Sequence, residues 1–265
     1  MLDWLYPVRD KVLDLAILQD GDVLLDVGTG DGLIGFGALL RNPTCRVIFS
    51  DISQDLLDHA QGLAQDMDVV DRCRFVHASV DDLHQFADAS VDIVTTRSVL
   101  IYVADKVGAF AEFQRVLKPG GRVSIFEPIS SFGYPEPPHM FIGFDAAPVQ
   151  ELAQKLRAVY RQHQPPDNDP MLDFNERDLI RLADDAGFAE VHAHVQFDIG
   201  PNPFPLDWQT MLRMAPNPKL PTLQEAMDET LTPEEQERFV AHLRPLVETH
   251  QPRVRAALAY VWTVK

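Results

Sequence analysis

The chain has 265 residues, 46% hydrophobic and 24% charged, enough to bury one large domain or one domain with a small cap, which excludes disordered and collagen-like chains. Forty Asp and Glu against 23 Lys and Arg give a formal charge of −17 with no basic groove, which argues against sequence-independent nucleic-acid binding. Two cysteines, Cys45 and Cys73, are too few for a disulfide framework or a multi-thiolate metal site.

The opening MLDWLYPVRDKVLDLA lacks the basic start, apolar stretch and cleavage site of a signal peptide, and no apolar run approaches about 18 residues. The expectation is a soluble cytoplasmic protein that needs no membrane. Strand-length apolar runs then alternate with helix-period segments, the pattern of βαβ units building a parallel sheet covered on both faces. The strands fall at 22–27, 45–51, 73–77, 91–95 and 121–127. Helices are expected near 31–40, 53–66 and 105–117, the last stopped by Lys118-Pro119-Gly120-Gly121.

Beyond Glu127 the pattern changes: fourteen of the twenty prolines lie in 128–148, 165–170 and 201–221, and helix periods occupy 149–161, 174–186 and 222–249. Two more strand-like runs, 189–198 and 256–264, complete the count. The expected organisation is an α/β core over 1–128, a cap insertion over 129–172, core completion over 173–200, a second helical cap over 201–254 and a final core strand over 255–265.

The sharpest local signal is Val23-Leu24-Leu25-Asp26-Val27-Gly28-Thr29-Gly30-Asp31-Gly32, a buried-type strand running through an acid into alternating glycines. Such a turn bares its backbone to a ligand at the sheet's carboxyl edge. Asp51 ends the second strand nineteen residues after Gly32, where an acid can accept both hydroxyls of a ribose. A dinucleotide fingerprint needs G-x-G-x-x-G, yet the third glycine here comes one place early and Leu33 takes its position. Asp26 and Asp31 would repel a pyrophosphate and suit a cationic sulfonium with an α-amino group. S-adenosylmethionine fits this turn better than NAD.

These residues resemble the class I S-adenosylmethionine-dependent methyltransferases, especially the small-molecule group that includes the ubiquinone and menaquinone methyltransferases. LLDVGTGDG is similar to that family's first motif, Asp51 to its ribose acid, and RVLKPGGRVSIFEP at 115–128 to its helix, turn and fifth strand. The resemblance covers roughly 20–128 and implies a Rossmann-like sheet of order 3-2-1-4-5-7-6 with strand seven antiparallel. It further implies that Gly28, Gly30 and Gly32 line the methionine part, that Asp26 meets its amino group directly or through water, and that Arg97 sits near the same moiety. Asp51 would hold the ribose, Ile52 would pack on the adenine, and Ser79 and Val80 would lie at the base. The family usually has Asp where Ser79 stands; a serine accepts a weaker hydrogen bond there.

Other motifs carry less. Tyr102 and Lys106 have the Tyr-x-x-x-Lys spacing of short-chain dehydrogenases, but they follow strand four directly, so the spacing reads as chance, with Tyr102 on a substrate-facing loop and Lys106 solvated. His192 and His194 share a strand face without a third ligand nearby and read as surface residues, so no metal site is expected. Thr95-Thr96-Arg97-Ser98 stands where a DNA amino-methyltransferase would carry Asn/Asp-Pro-Pro-Tyr/Phe. What remains is a metal-free enzyme for a small-molecule acceptor, working by in-line displacement and releasing S-adenosylhomocysteine. Tyr6, Tyr102, Glu127, His139, Phe141, Arg157 and Tyr160 are the candidate substrate contacts, with His139 or Tyr102 as base. Glu127 equally fits a strand terminator, while the aromatics fit packing of the cap better than substrate contact, and Arg157 better fits the solvated face of a helix whose Leu152, Leu156 and Val159 turn inward. A catalytically silent cofactor-binding accessory protein is the alternative from another class, and a nicotinamide oxidoreductase the third reading.

Overall fold

The computed structural model describes residues 2–202, 206–217 and 220–265. Five strands arise where the apolar runs lie: β1 Val23–Val27, β2 Arg46–Asp51, β3 Cys73–His77, β4 Val91–Arg97 and β5 Leu117–Pro128, joined later by β6 Glu190–Pro201 and β7 Arg253–Val264. They form one sheet in the order β3-β2-β1-β4-β5-β7-β6. β1 to β5 pair in parallel and β7 pairs antiparallel with β5, as the resemblance implies.

The chain divides into two compact units: Met1–Ile129, Phe174–Gln196 and Leu258–Lys265 make the first, and Ser130–Asp173 with Phe197–Ala257 the second. In the first unit, α1 (Leu2–Ala16), α2 (Leu33–Arg41) and α3 (Gln54–Asp66) share one apolar cluster with Leu24, Phe49, Ile93 and Phe126 of the sheet. α1 has no counterpart among the expected helices, because Pro7 interrupts its reading. Its Val8, Val12 and Ala16 nevertheless recur every four residues, and all are buried. The Ser124 hydroxyl donates to the Val12 carbonyl at 2.7 Å and ties α1 to β5.

α4 (Lys106–Val116) buries Ala109, Phe110, Phe113 and Val116. Pro119 and the glycines do stop it, but the chain enters β5 at once, four residues earlier than expected. Val91 pairs with Leu117, Ile93 pairs with Arg122, and the intervening residues loop out with Gly120 at φ +76°. Lys106 is buried rather than solvated: its Nζ donates to the Val103 carbonyl at 2.8 Å and lies 4.8 Å from the Phe174 ring centroid.

The second unit has its own apolar cluster, built from Leu152, Leu156 and Val159 of helix Gln150–His163, Met211 of Trp208–Arg213, Ala226 and Met227 of Leu223–Thr230, and Phe239, Leu243 and Val247 of Pro233–Thr249. The helix period over 222–249 is carried by two helices. Thr232 forms a reciprocal capping box with Glu235 and Pro233 follows as first helical residue, so a new start signal cuts the period. A short hairpin pairs Met140–Phe141 with Phe144–Asp145. Among the described residues no helix is long and apolar enough to cross a membrane.

Candidate functional site

The turn after β1 is shaped by its acids. Asp26 is buried, and its carboxylate is spent on the protein: Oδ2 accepts from the Thr29 hydroxyl at 2.6 Å and the Gly35 N–H at 3.2 Å, and Oδ1 accepts from the Thr95 hydroxyl at 2.8 Å. Burial pushes its carboxyl up to about 6, against the pull of the two hydroxyls, the Gly35 N–H and the Arg97 charge. Asp26 thereby clamps the start of α2 onto β1 and β4.

Asp51 is also buried, and it bridges two elements: Oδ2 accepts the Gly30 N–H and Oδ1 the Ser53 N–H, both at 2.9 Å. Each oxygen keeps acceptor capacity for a further donor. Gly30 has φ +57°, a conformation costly for side-chain-bearing residues, and no heavy atom lies within 4 Å of where its Cβ would stand. The loop therefore presents bare backbone beside the acid that ends β2. Gly28 is the opposite case, since a Cβ there would come within 2.4 Å of Val99 Cγ2.

Around this turn the first unit brings together most of the expected cofactor residues. Ile52, 70% exposed, follows Asp51 directly, and His77 Nε2 lies 2.9 Å from its carbonyl oxygen. The Ser79 hydroxyl hydrogen-bonds to Asp81, and Val80 between them is buried. A carboxylate thus stands two residues beyond the position where the family places one; the first acid of Ser79-Val80-Asp81-Asp82 was its only sequence signal. Arg97, at the end of β4, has its guanidinium 3.9 Å from Asp31 on the glycine turn. Thr29 and Thr95, the hydroxyls that hold Asp26, escaped the sequence reading because only the β1 to β4 register brings Thr95 opposite Asp26.

The expected substrate residues divide. Tyr6 and Tyr102 are exposed on the first unit, at 41% and 46%. Glu127 is wholly buried, and its carboxylate accepts the N–H groups of Val99, Leu100 and Ile101. In the second unit His139 is exposed. Phe141 lies in the apolar cluster, edge-on to Phe239 at 5.4 Å. Arg157 is half-buried: it donates to the Pro138 and Met140 carbonyls and pairs with Glu136 at 3.3 Å, which fixes the hairpin to its helix. The Tyr160 hydroxyl is enclosed without a hydrogen-bond partner among the described residues, and burial pushes its phenol up to about 12.

His192 and His194 are exposed, as expected, but they rest on aromatic rings, His192 stacked 5.3 Å from Trp262 and His194 6.2 Å from Tyr260, and Lys11 contacts His194 Nδ1. Among the described residues no three His, Cys, Asp or Glu side chains cluster to hold a metal ion.

Comparison with known proteins adds to this geometry. Residues 25–125 match the family described as a methyltransferase domain. A 37.1 kDa protein in transposon TN4556 of Streptomyces fradiae is 31% identical over 184 residues, 68% of this chain and 47% of that protein. The ubiquinone/menaquinone biosynthesis C-methyltransferase of Paracoccus denitrificans is 35% identical over 127 residues, 48% of this chain and 46% of that one. The chain thus spans about half the length of the curated relatives it matches. Among solved structures, a putative methyltransferase from Bacillus halodurans shares the fold with a TM-score of 0.56 at 17% identity, covering 97% of this chain and 98% of that one.

Proposed function

We propose, for a chain that belongs to the class I S-adenosylmethionine-dependent methyltransferase family, transfer of a methyl group to a small-molecule acceptor by in-line displacement. The observation that carries this reading is Gly30: left-handed, open on its Cβ side, and tied through its N–H to Asp51. The donor set supports it as well. Asp26, Asp31 and Asp51 surround the turn, with Arg97 set against Asp31, a balance that disfavours a diphosphate and favours a cationic nucleoside.

When bound, S-adenosylmethionine supplies an electrophilic methyl group on a sulfonium that leaves as a neutral thioether. On the chain's side, Asp51 offers its remaining lone pairs to the ribose hydroxyls and Ile52 an apolar face to the adenine. Ser79 with Asp81 offers acceptors for the exocyclic amine. Gly28, Gly30 and Gly32 give backbone, and the Arg97 to Asp31 pair gives both charges, to the methionine part. The acceptor must then be aligned and shielded from water, and any proton removed. Tyr102, exposed on the same unit as these residues, is the proposed base.

The test is thermal shift of the full chain with S-adenosylhomocysteine and with NADH, since only a ligand of the folded state raises the melting temperature by mass action. The expected result is a rise with S-adenosylhomocysteine alone. A rise with NADH alone would replace this reading by the oxidoreductase one. Methyl transfer from labelled S-adenosylmethionine into small molecules of a cell extract then separates an enzyme from a silent binding protein.

A further inference from the structure

Glu127, a candidate substrate contact by sequence, is one of the most completely buried ionisable side chains in the first unit. Its Oε1 accepts the N–H groups of Val99 and Leu100, both at 2.9 Å, and its Oε2 that of Ile101 at 3.2 Å. One residue earlier on β5, the Phe126 carbonyl accepts the Ser98 N–H at 2.8 Å. Two consecutive residues of β5 therefore hold four consecutive amides of the turn after β4. That turn is strained: Ser98 has φ +56°, a left-handed conformation that persists where its surroundings over-determine it.

The same turn carries Val99, whose methyl groups fill the space that a Cβ on residue 28 would need. We propose that Glu127 is a positioning residue for cofactor binding: by gripping the amides of 99–101 it seats Val99 against Gly28 and so sets the shape of the glycine turn. The carboxylate acts through backbone and through Val99, without touching the ligand.

The charge state of Glu127 enters this grip directly. An ionised carboxylate accepts on both oxygens, whereas a neutral acid turns one oxygen into a donor facing N–H donors. Burial pushes its carboxyl up to about 7, while the three N–H groups and Lys106 pull it back. α4 brings the Lys106 ammonium, β7 brings Ala259 opposite it in register, and the turn brings backbone N–H groups. Cofactor affinity should therefore rise with pH through the neutral range.

This inference rests on the proposed cofactor site, and the experiment separates the two. S-adenosylhomocysteine binding to the full chain is measured by titration calorimetry from about pH 6.5 to about 8.5, for wild type, Glu127→Gln and Val99→Ala. Wild-type affinity should increase severalfold over that range. Glu127→Gln, whose amide must also aim a donor at an N–H, should bind about tenfold more weakly at the alkaline end and lose most of the pH dependence. Its amides at 99–101 should exchange hydrogen faster. Val99→Ala should weaken binding while keeping those amides protected and the pH dependence intact. Glu127→Gln binding with wild-type affinity and pH profile would overturn the inference alone. Should that variant fail to fold, unchanged affinity in Val99→Ala would overturn it. Wild type that binds no S-adenosylhomocysteine at any pH would overturn the cofactor site, and this inference with it.

Discussion

The two units keep their polar groups in different places. Among the described residues, ten of the eleven buried polar or charged side chains belong to the first unit, and only Asp169 to the second. In the first unit Asp26, Asp51, Thr95, Thr96 and Glu127 all stand near the carboxyl ends of neighbouring parallel strands. In the second unit the acids and hydroxyls sit instead at helix starts, as with Thr222 and Glu225 or Thr232 and Glu235, around an apolar interior. Burying an acid costs free energy unless its hydrogen bonds are made, so a cluster of satisfied buried acids marks where geometry is being fixed for chemistry. An apolar helical interior marks packing.

The largest expected effect tests the apolar side of that contrast. Phe141→Ala removes a buried ring from the cluster of the second unit and should cost about 3–5 kcal/mol of stability, read by chemical denaturation. S-adenosylhomocysteine affinity should stay unchanged. A variant with native stability and impaired turnover would support Phe141 as a substrate contact, and the contrast between the units would weaken.

Next in size is the pH dependence of Asp26. Its folded carboxyl is raised from 3.8 to about 6, so the folded state holds the proton more tightly than the unfolded chain. The stability this contributes is fully present below the unfolded value and is lost as pH rises through about 6, a change on the order of 3 kcal/mol. Asp26→Asn cannot ionise and escapes that loss. Its stability relative to wild type should therefore improve steadily between about pH 4 and about pH 7. Parallel stability curves for the two proteins would show that Asp26 is not buried as described.

How far the sequence carried follows the same division. The strands and the glycine turn were legible because their signals are local: an apolar run, an acid, and glycines where left-handed backbone is needed. Asp51 was legible from spacing alone. Glu127 was not, because its partners lie 26 to 28 positions away and exist only once β4 and β5 are paired. Lys106 read as solvated because a lysine at a helix start usually is, and the ring of Phe174 comes from a distant segment. In the second unit Arg157 and Phe141 carry no local mark that separates a ligand contact from a hairpin anchor or a core ring.

A smaller effect tests the polar side. Asp51→Ala removes the acceptor of the Gly30 and Ser53 N–H groups together with the proposed ribose contact, and should weaken S-adenosylhomocysteine binding by about 1–3 kcal/mol in calorimetry. Equal affinity for variant and wild type would mean that the ribose lies elsewhere.

The smallest effect is the most specific to charge. Asp31 is half-exposed on the glycine turn, and its pair with Arg97 at 3.9 Å is long, so Asp31→Asn should leave the melting temperature almost unmoved. Its effect should appear in a ratio instead. S-adenosylmethionine carries a positive sulfur and S-adenosylhomocysteine a neutral one, while the rest of the two ligands is the same, so the ratio of their affinities isolates the field at the sulfur. Removing a solvent-screened negative charge from the turn should shift that ratio against S-adenosylmethionine by about two- to fivefold at low salt. The shift should shrink as ionic strength rises, because the charge is in contact with water. A ratio that does not move at any salt concentration would mean that Asp31 answers only to Arg97, and that the buried acids alone set the charge preference of the turn.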